Sequence, residues 1–565
     1  MSLDLVIRNG TVVDGTGLAS YRADVGVRQG RIVAIGRIPE RGRRELDADG
    51  HVVTPGFIDG HTHMDAQVFW DPLGTCSCWH GVTTVVMGHC GFTLAPAKFA
   101  DRALVIRNLE RAEDISGAAI AAGIDWTWSN FAQYMDAVDA VPKGINYATN
   151  IGHSALRTWA MGERAFDGPS SDTDIDVMVR ELRAALQAGA IGFTTSRSGQ
   201  HETSDNRPVA SRLATWSEVR RLVNAMGELG TGMFELANEP AANGEDNAAR
   251  DEYYGRLRAL AVESGVPMVF GTLGRHARSQ LALLDSTAAA GGRMFGMTHS
   301  RGVSVVLSFR THLPFDGLAE WKPVRALPLD QQKKALADPA TRKRLLHAAH
   351  HGDYGNPIGA EARKPDYTTM RILDTPLPPH RTVAEVAAER GVDPVDLIID
   401  LSLASDFAQF FVQPITPMDP KEQLVLMKHP RTVMTFSDAG AHVSQIMDSS
   451  IQTHLLAHWV RDQQAFTLEE AVRMLTLAPA RAWGFANRGL VREGLVADLN
   501  VFDPATVGPD MPTVASDLPS GALRLRQEAS GFLATIVGGE IVLDRGRDTG
   551  ARPGRLVRGP LHVRA

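Results

Sequence analysis

Only three cysteines occur in 565 residues, Cys76, Cys78 and Cys90, all within one short region, so a disulfide framework does not stabilise this chain. No uninterrupted apolar stretch approaches the ~20 residues needed to span a bilayer. Met1-Ser2-Leu3-Asp4 runs straight into a strand pattern with no basic and then apolar leader, and the expected compartment is the cytoplasm. Long runs of either charge are also missing. With a formal net charge of -7 there is no electrostatic case for nucleic acid or an anionic membrane. The expected partner is a small-molecule substrate, with a homo-oligomer left open. The rest is ordinary globular composition, 44% hydrophobic and 22% charged, enough for one large domain and a smaller one.

Against that background one stretch stands out, Phe57-Ile58-Asp59-Gly60-His61-Thr62-His63 behind Thr54-Pro55-Gly56. The apolar pair suits a buried strand, and the two-residue period of a strand throws His61 and His63 onto one side. Two converging imidazoles are a ready pair of metal ligands; alone, they are equally a pair of hydrogen-bonded core histidines.

Both ends of the chain read as strands and turns. Leu5-Val6-Ile7, Asn9-Gly10 and Thr11-Val12-Val13 predict a hairpin, and a second follows around Gly30; the same texture returns in 497–502 and 534–543. Neither end has enough chain to bury a sheet face, so one small β-sandwich built from 1–54 and 487–565 is expected. Between them, eight apolar runs alternate with helical periodicity, beginning before His61 and at Gly81, Gly144, Ala190, Gly232, Val266, Arg293 and Thr432. The pattern predicts an α/β fold, a (β/α)8 TIM-type barrel over 55–486, with catalytic groups at the C-terminal strand ends. Residues 309–427 are too long for one crossover and predict an insertion over that face. Its Trp321, Phe407, Phe410 and Phe411 are expected either to line a substrate pocket or to form the insertion's own core.

The residues just past the strands are His61 and His63, Cys90, His153 and Asp438. Imidazole, thiolate and carboxylate are the zinc-type donor set. Cys90 reads as a ligand or as a buried structural thiol, and Asp438 as a ligand or as a helix N-cap. His442 and His299 are candidates for the same mouth. Cys76 and Cys78 read as structural.

Together with Gly81-Val82-Thr83-Thr84, Cys90-Gly91-Phe92, Gly152-His153-Ser154-Ala155-Leu156-Arg157, Ser437-Asp438-Ala439-Gly440 and Ala497-Asp498-Leu499, these motifs resemble the amidohydrolase superfamily, and within it the N-acyl-D-amino-acid deacylases. The resemblance implies one or two zinc ions held by the first-strand histidines, the second-strand cysteine, a histidine on each of strands five and six, and the eighth-strand aspartate. His61, His63, Cys90 and Asp438 match. Strands five and six depart from it, reading Glu235-Leu236-Ala237-Asn238-Glu239 and Phe270-Gly271-Thr272-Leu273-Gly274, with Glu235 or Glu239 as a substitute carboxylate.

The expected activity is therefore metal-dependent hydrolysis of a non-peptide C–N bond in an N-acyl amino acid or related amide, with one divalent ion, zinc, on His61, His63, Cys90 and Asp438. Asp438 would act as general base on an activated water. His153, Arg157 and Arg197 are the expected substrate-binding residues, the arginines pairing with a carboxylate. The alternatives are action on a cyclic amide or a C–C bond, and a metal-free binding protein.

Overall fold

The segment read as a hairpin at Asn9-Gly10 is one ten-residue strand, Leu3–Val12, whose pairing with Tyr21–Arg28 slips in register between Ile7 and Gly10. Asn9 takes the left-handed conformation at the slip (φ 60°), so the turn chemistry of asparagine and glycine makes a bulge. The hairpin at Gly30 forms as expected between Tyr21–Arg28 and Arg31–Gly36. The computed structural model describes residues 2–416 and 419–561. Positions 562–565 of the expected C-terminal β-segment, and Pro417 and Met418 of the insertion, therefore lie outside the described residues.

Hydrogen bonding joins the two chain ends in a single nine-stranded sheet. Its seam is the antiparallel pair Val52–Pro55 with Leu499–Phe502, in which Val53 faces Val501. Leu5, Ile7, Val25, Val27, Val53, Leu499, Val501 and Ile536 from these strands share one apolar cluster. A chain ending after Arg488 lacks Leu499–Phe502 and the strands beyond it, leaving that face and the edge of Val52–Pro55 open. We expect it to accumulate as insoluble protein; a soluble, cooperatively unfolding product in an expression and melting assay would show that the N-terminal strands fold alone.

The middle of the chain is α/β. Phe57–Asp59, Val82–Met87 and Asn146–Thr149 form one parallel sheet; Ile151–Gly152, Gly192–Ser196, Met233–Ala237, Met268–Gly271, Met294–Thr298 and Thr432–Met434 form a second. The third run is one strand interrupted at Asn150, whose N–H and Nδ2 both donate to Met87 O. At the opposite edges, Asp438 N donates to His61 O (3.1 Å) and His63 N to Ala439 O (2.8 Å). One apolar cluster takes Ile58, Val86, Ala148, Met233, Val269, Met297 and Val433 from seven runs and Ile191 from just before Gly192–Ser196, and Trp483 and Phe485 close it at one end. The helix predicted at 176–188 is Asp172–Ala188; Ser171 caps it by accepting from Asp174 N, and Gly189 ends it at φ 110°. Among the described residues no helix is long and apolar enough to cross a membrane.

The insertion starts earlier than 309 and ends before 427. Ser304–Leu307, Phe410–Pro414 and Arg371–Leu373 make an antiparallel sheet, while Pro420–Lys428 is the helix leading into Thr432–Met434. The subdomain has its own core, in which Trp321 stacks on Phe315 at 4.4 Å and Phe407 on Phe309 at 4.9 Å, with Phe411 beside them. Trp321, Phe407 and Phe411 are therefore core residues; Phe410 points to the other side of the sheet.

Candidate metal centre

His61 and His63 follow Phe57–Asp59 directly, and the Thr62 bridge to Ala439 fixes their backbone against the segment after Thr432–Met434. The close approach requires Gly440: at φ 95°, a Cβ there would lie 2.7 Å from the His63 backbone. Cys90, Asp438 and His442 all take left-handed backbone, with φ of 52°, 57° and 48°. Three non-glycine residues in that region around one point mark a site whose geometry is imposed by its surroundings.

Asp438 Oδ1 lies 3.1 Å from His63 Nε2 and 3.3 Å from His61 Nε2, and Cys90 Sγ is 3.7 Å from His61 Nε2. His63 Nε2 and Asp438 Oδ1 are buried, yet neither is in hydrogen-bonding geometry with any group. An imidazole nitrogen and a carboxylate oxygen this close, yet out of hydrogen-bonding alignment, suit donors aimed at a common third body. These three spacings are in the range of edges between donors around an ion with bonds of about 2.0–2.3 Å. The structure brings the four residues expected from the sequence to one mouth, as two donor groups that share His63: His61-His63-Cys90 and His63-Glu113-Asp438.

Three further groups were not expected. Glu113, from the loop between Arg102–Glu110 and Gly117–Gly123, places Oε2 3.5 Å from both His63 Nε2 and His442 Nε2, while its Oε1 is buried without a partner. His89 stacks on His61 with centroids 4.1 Å apart. His201, half-buried in the loop after Gly192–Ser196, joins Cys90 and Glu113 in a further group of donors. Glu113 and His201 lie on loops with no strand-end position to single them out. His442, a candidate from the sequence, is also in the mouth.

Glu235 replaces an expected histidine but stands behind the ligands. Its Oε2 accepts from Cys90 N (2.9 Å), and its Oε1 is 3.9 Å from His61 Nδ1. It thereby holds the Cys90 backbone and lies near His61 without bonding it, and with His61 and His89 it forms another group of candidate donors. Glu239 pairs instead with Arg197 at 3.1 Å. Burial pushes the Glu113 carboxyl up to about 8 and that of Glu235 to about 7. Burial also opposes ionisation of Asp438, but His61 and His63 outweigh it and hold that carboxyl well below the usual range. Two buried carboxyls and the half-buried Asp438 meet here beside His63; burial opposes its charge, but Glu113 and Asp438 outweigh it and raise its pKa to about 9, so positive charge is favoured at this point.

The expected substrate-binding residues are engaged elsewhere. His153 Nε2 and Arg157 Nη1 both meet Glu218 (2.8 and 2.6 Å), all three fully buried, and His153 Nδ1 meets Thr195 Oγ1. The Arg197 guanidinium is held by Glu239 and Ala214 O. Apart from Arg157 Nε, the donors named here are taken by protein groups, so the geometry gives them a structural role in place of a substrate contact. His299 accepts from Arg301 N and faces Asp448 at 3.5 Å, outside the donor cluster.

Residues 44–543 match the amidohydrolase family, to which this chain belongs; residues 1–47 also match the N-terminal domain of the urease alpha-subunit. It is a hydrolase of carbon–nitrogen bonds other than peptide bonds. Two similar proteins are the D-aminoacylase and the N-acyl-D-glutamate deacylase of Alcaligenes xylosoxydans xylosoxydans, each 30% identical, over 98% of this chain and 97% and 96% of theirs. A similar solved structure is the N-acyl-D-glutamate deacylase of Bordetella bronchiseptica in complex with zinc and a phosphonate inhibitor. It has a TM-score of 0.66 and 26% identity over 99% of this chain and 100% of that one.

Proposed function

We propose that this protein is a zinc-dependent deacylase of N-acyl amino acids, with its eight parallel runs closed as a (β/α)8 barrel and one ion held by His61, His63, Cys90 and Asp438. The closure is supported by the single apolar layer drawn from all eight runs and by the hydrogen bonds from 61–63 to 438–439. The observation that carries the function is the pair His63 Nε2 and Asp438 Oδ1, 3.1 Å apart, buried and sharing no hydrogen bond. The substrate class follows from the similarity to D-amino-acid deacylases over nearly the whole chain.

A divalent ion bound here supplies polarisation of the amide carbonyl and acidifies an attacking water. The residues do the rest. Asp438 Oδ2, the oxygen turned to His442 at 4.0 Å, takes the water's proton and returns it to the leaving nitrogen. Glu235 fixes the Cys90 backbone, and Glu113 closes the mouth between His63 and His442.

Protein stripped by a chelator and dialysed against zinc should retain one tightly held equivalent and regain hydrolysis of N-acyl-D- or N-acyl-L-amino acids. Retention of no zinc, with no turnover of either series, would remove this reading; turnover confined to lactams or hydantoins would keep the metal and replace the substrate.

A further inference from the structure

The insertion's antiparallel sheet has two apolar faces, one in the subdomain core and the other packed on Met447 and Leu525, and a cavity lies beside the second. With a two-residue strand period, Val305, Leu307, Ile372 and Phe411 point into the subdomain core. Val306, Leu373 and Val412 point the other way. Together with Met447 they supply the apolar part of the lining of a cavity of about 380 Å³, whose polar part includes Asp448, His454 and Gln527. None of the donors of the metal centre lines it. The volume falls in the ~300–1,000 Å³ range of small-molecule sites.

The charges of the lining are unequally used. Arg301 is held on one side, its Nε and Nη2 donating to Asp448 Oδ1, Met447 O and Ser450 Oγ. Asp419 caps the helix Pro420–Lys428 through Lys421 N. Arg371 is different: it sits exposed at the rim and makes no ion pair with any described residue. A planar guanidinium with no close ion pair, its charge reaching Glu385 only at longer range, beside a cavity whose apolar lining is Val306, Leu373, Val412 and Met447, matches a carboxylate head with a hydrocarbon tail.

We propose that this cavity is a second ligand site, separate from the metal centre, for a carboxylic acid with a medium-length apolar chain, its carboxylate paired with Arg371 and its chain lying on Val306, Val412 and Met447. The free acid and an N-acyl amino acid share this chemistry. Nothing in the proposal depends on which bond the metal centre cleaves.

The test is calorimetric titration of zinc-loaded, full-length protein with octanoate, N-octanoylglycine and octanol. Saturable 1:1 binding of one or both acids is expected, at least tenfold tighter than octanol, and unchanged when the metal is removed by a chelator; the two acids, compared, identify the source. Arg371→Met should weaken binding at least tenfold, and Val412→Trp, which fills the cavity, should abolish it. Arg371→Met is at an exposed rim position, so its fold is not at stake. The proposal is overturned by absence of saturable binding, by wild-type affinity in Arg371→Met, or by loss of binding on chelation, which would place the acid at the metal centre.

Discussion

Asp438→Asn is expected to lower kcat by roughly 10²–10⁴, the range for loss of a general acid–base, while one equivalent of metal remains bound. Asparagine preserves the shape, the left-handed backbone at φ 57° and one oxygen for the position 3.1 Å from His63 Nε2. It is also one of the few residues that tolerates that backbone. What it removes is the oxygen that accepts the proton. Steady-state kinetics on the best N-acyl amino acid, paired with elemental analysis, decides the matter. Near-wild-type turnover would demote Asp438 to a ligand only, and loss of the metal together with activity would show that the negative charge is needed for holding the ion.

The second large effect lies away from the metal. Glu218→Gln should destabilise the fold by about 3–5 kcal/mol, because it leaves Arg157 buried and uncompensated. Burial opposes ionisation of Glu218, but His153 and Arg157 outweigh it and hold its carboxyl at about 2, below its ordinary 4.5. A carboxyl depressed by folding stabilises the native state above its unfolded value, and that contribution is lost as pH falls from about 4.5 toward 2. The wild type should therefore weaken across this acid range more steeply than the variant, which has no carboxyl to protonate. Urea midpoints measured from pH 7 downward test both statements. A loss under ~1 kcal/mol at neutral pH, or parallel acid profiles, would mean that Arg157 finds another partner.

The donors legible in the sequence were those at strand ends, because strand period and position together aim them. His61, His63, Cys90 and Asp438 meet as that logic requires. Glu113 gave no signal: it is an acid in a run of charged residues, Glu110-Arg111-Ala112-Glu113-Asp114, and only the docking of its loop, with His442 N donating to Glu113 O, buries it at the mouth. Arg157 misled for the opposite reason. Its strand-end neighbourhood suggested substrate, but its partner Glu218 lies on the helix Trp216–Leu229, a tertiary pairing that no local pattern encodes. The same holds for Asn9-Gly10, where turn chemistry was read correctly and its use in a bulge was set by pairing with Tyr21–Arg28. Trp321 and Phe407 are aromatic in a segment long enough to have a core of its own, and they went into it.

The seam between the two chain ends also sets a clock. Val53 cannot meet Val501 until ribosomal synthesis has covered the intervening chain, about 20–90 s at ~5–20 residues per second. For that interval the edge of Val52–Pro55 is without its partner strand, while the parallel runs between are already emerging. An open β-edge is the surface on which nascent chains pair with one another, so the native yield is expected to fall as the rate of expression rises.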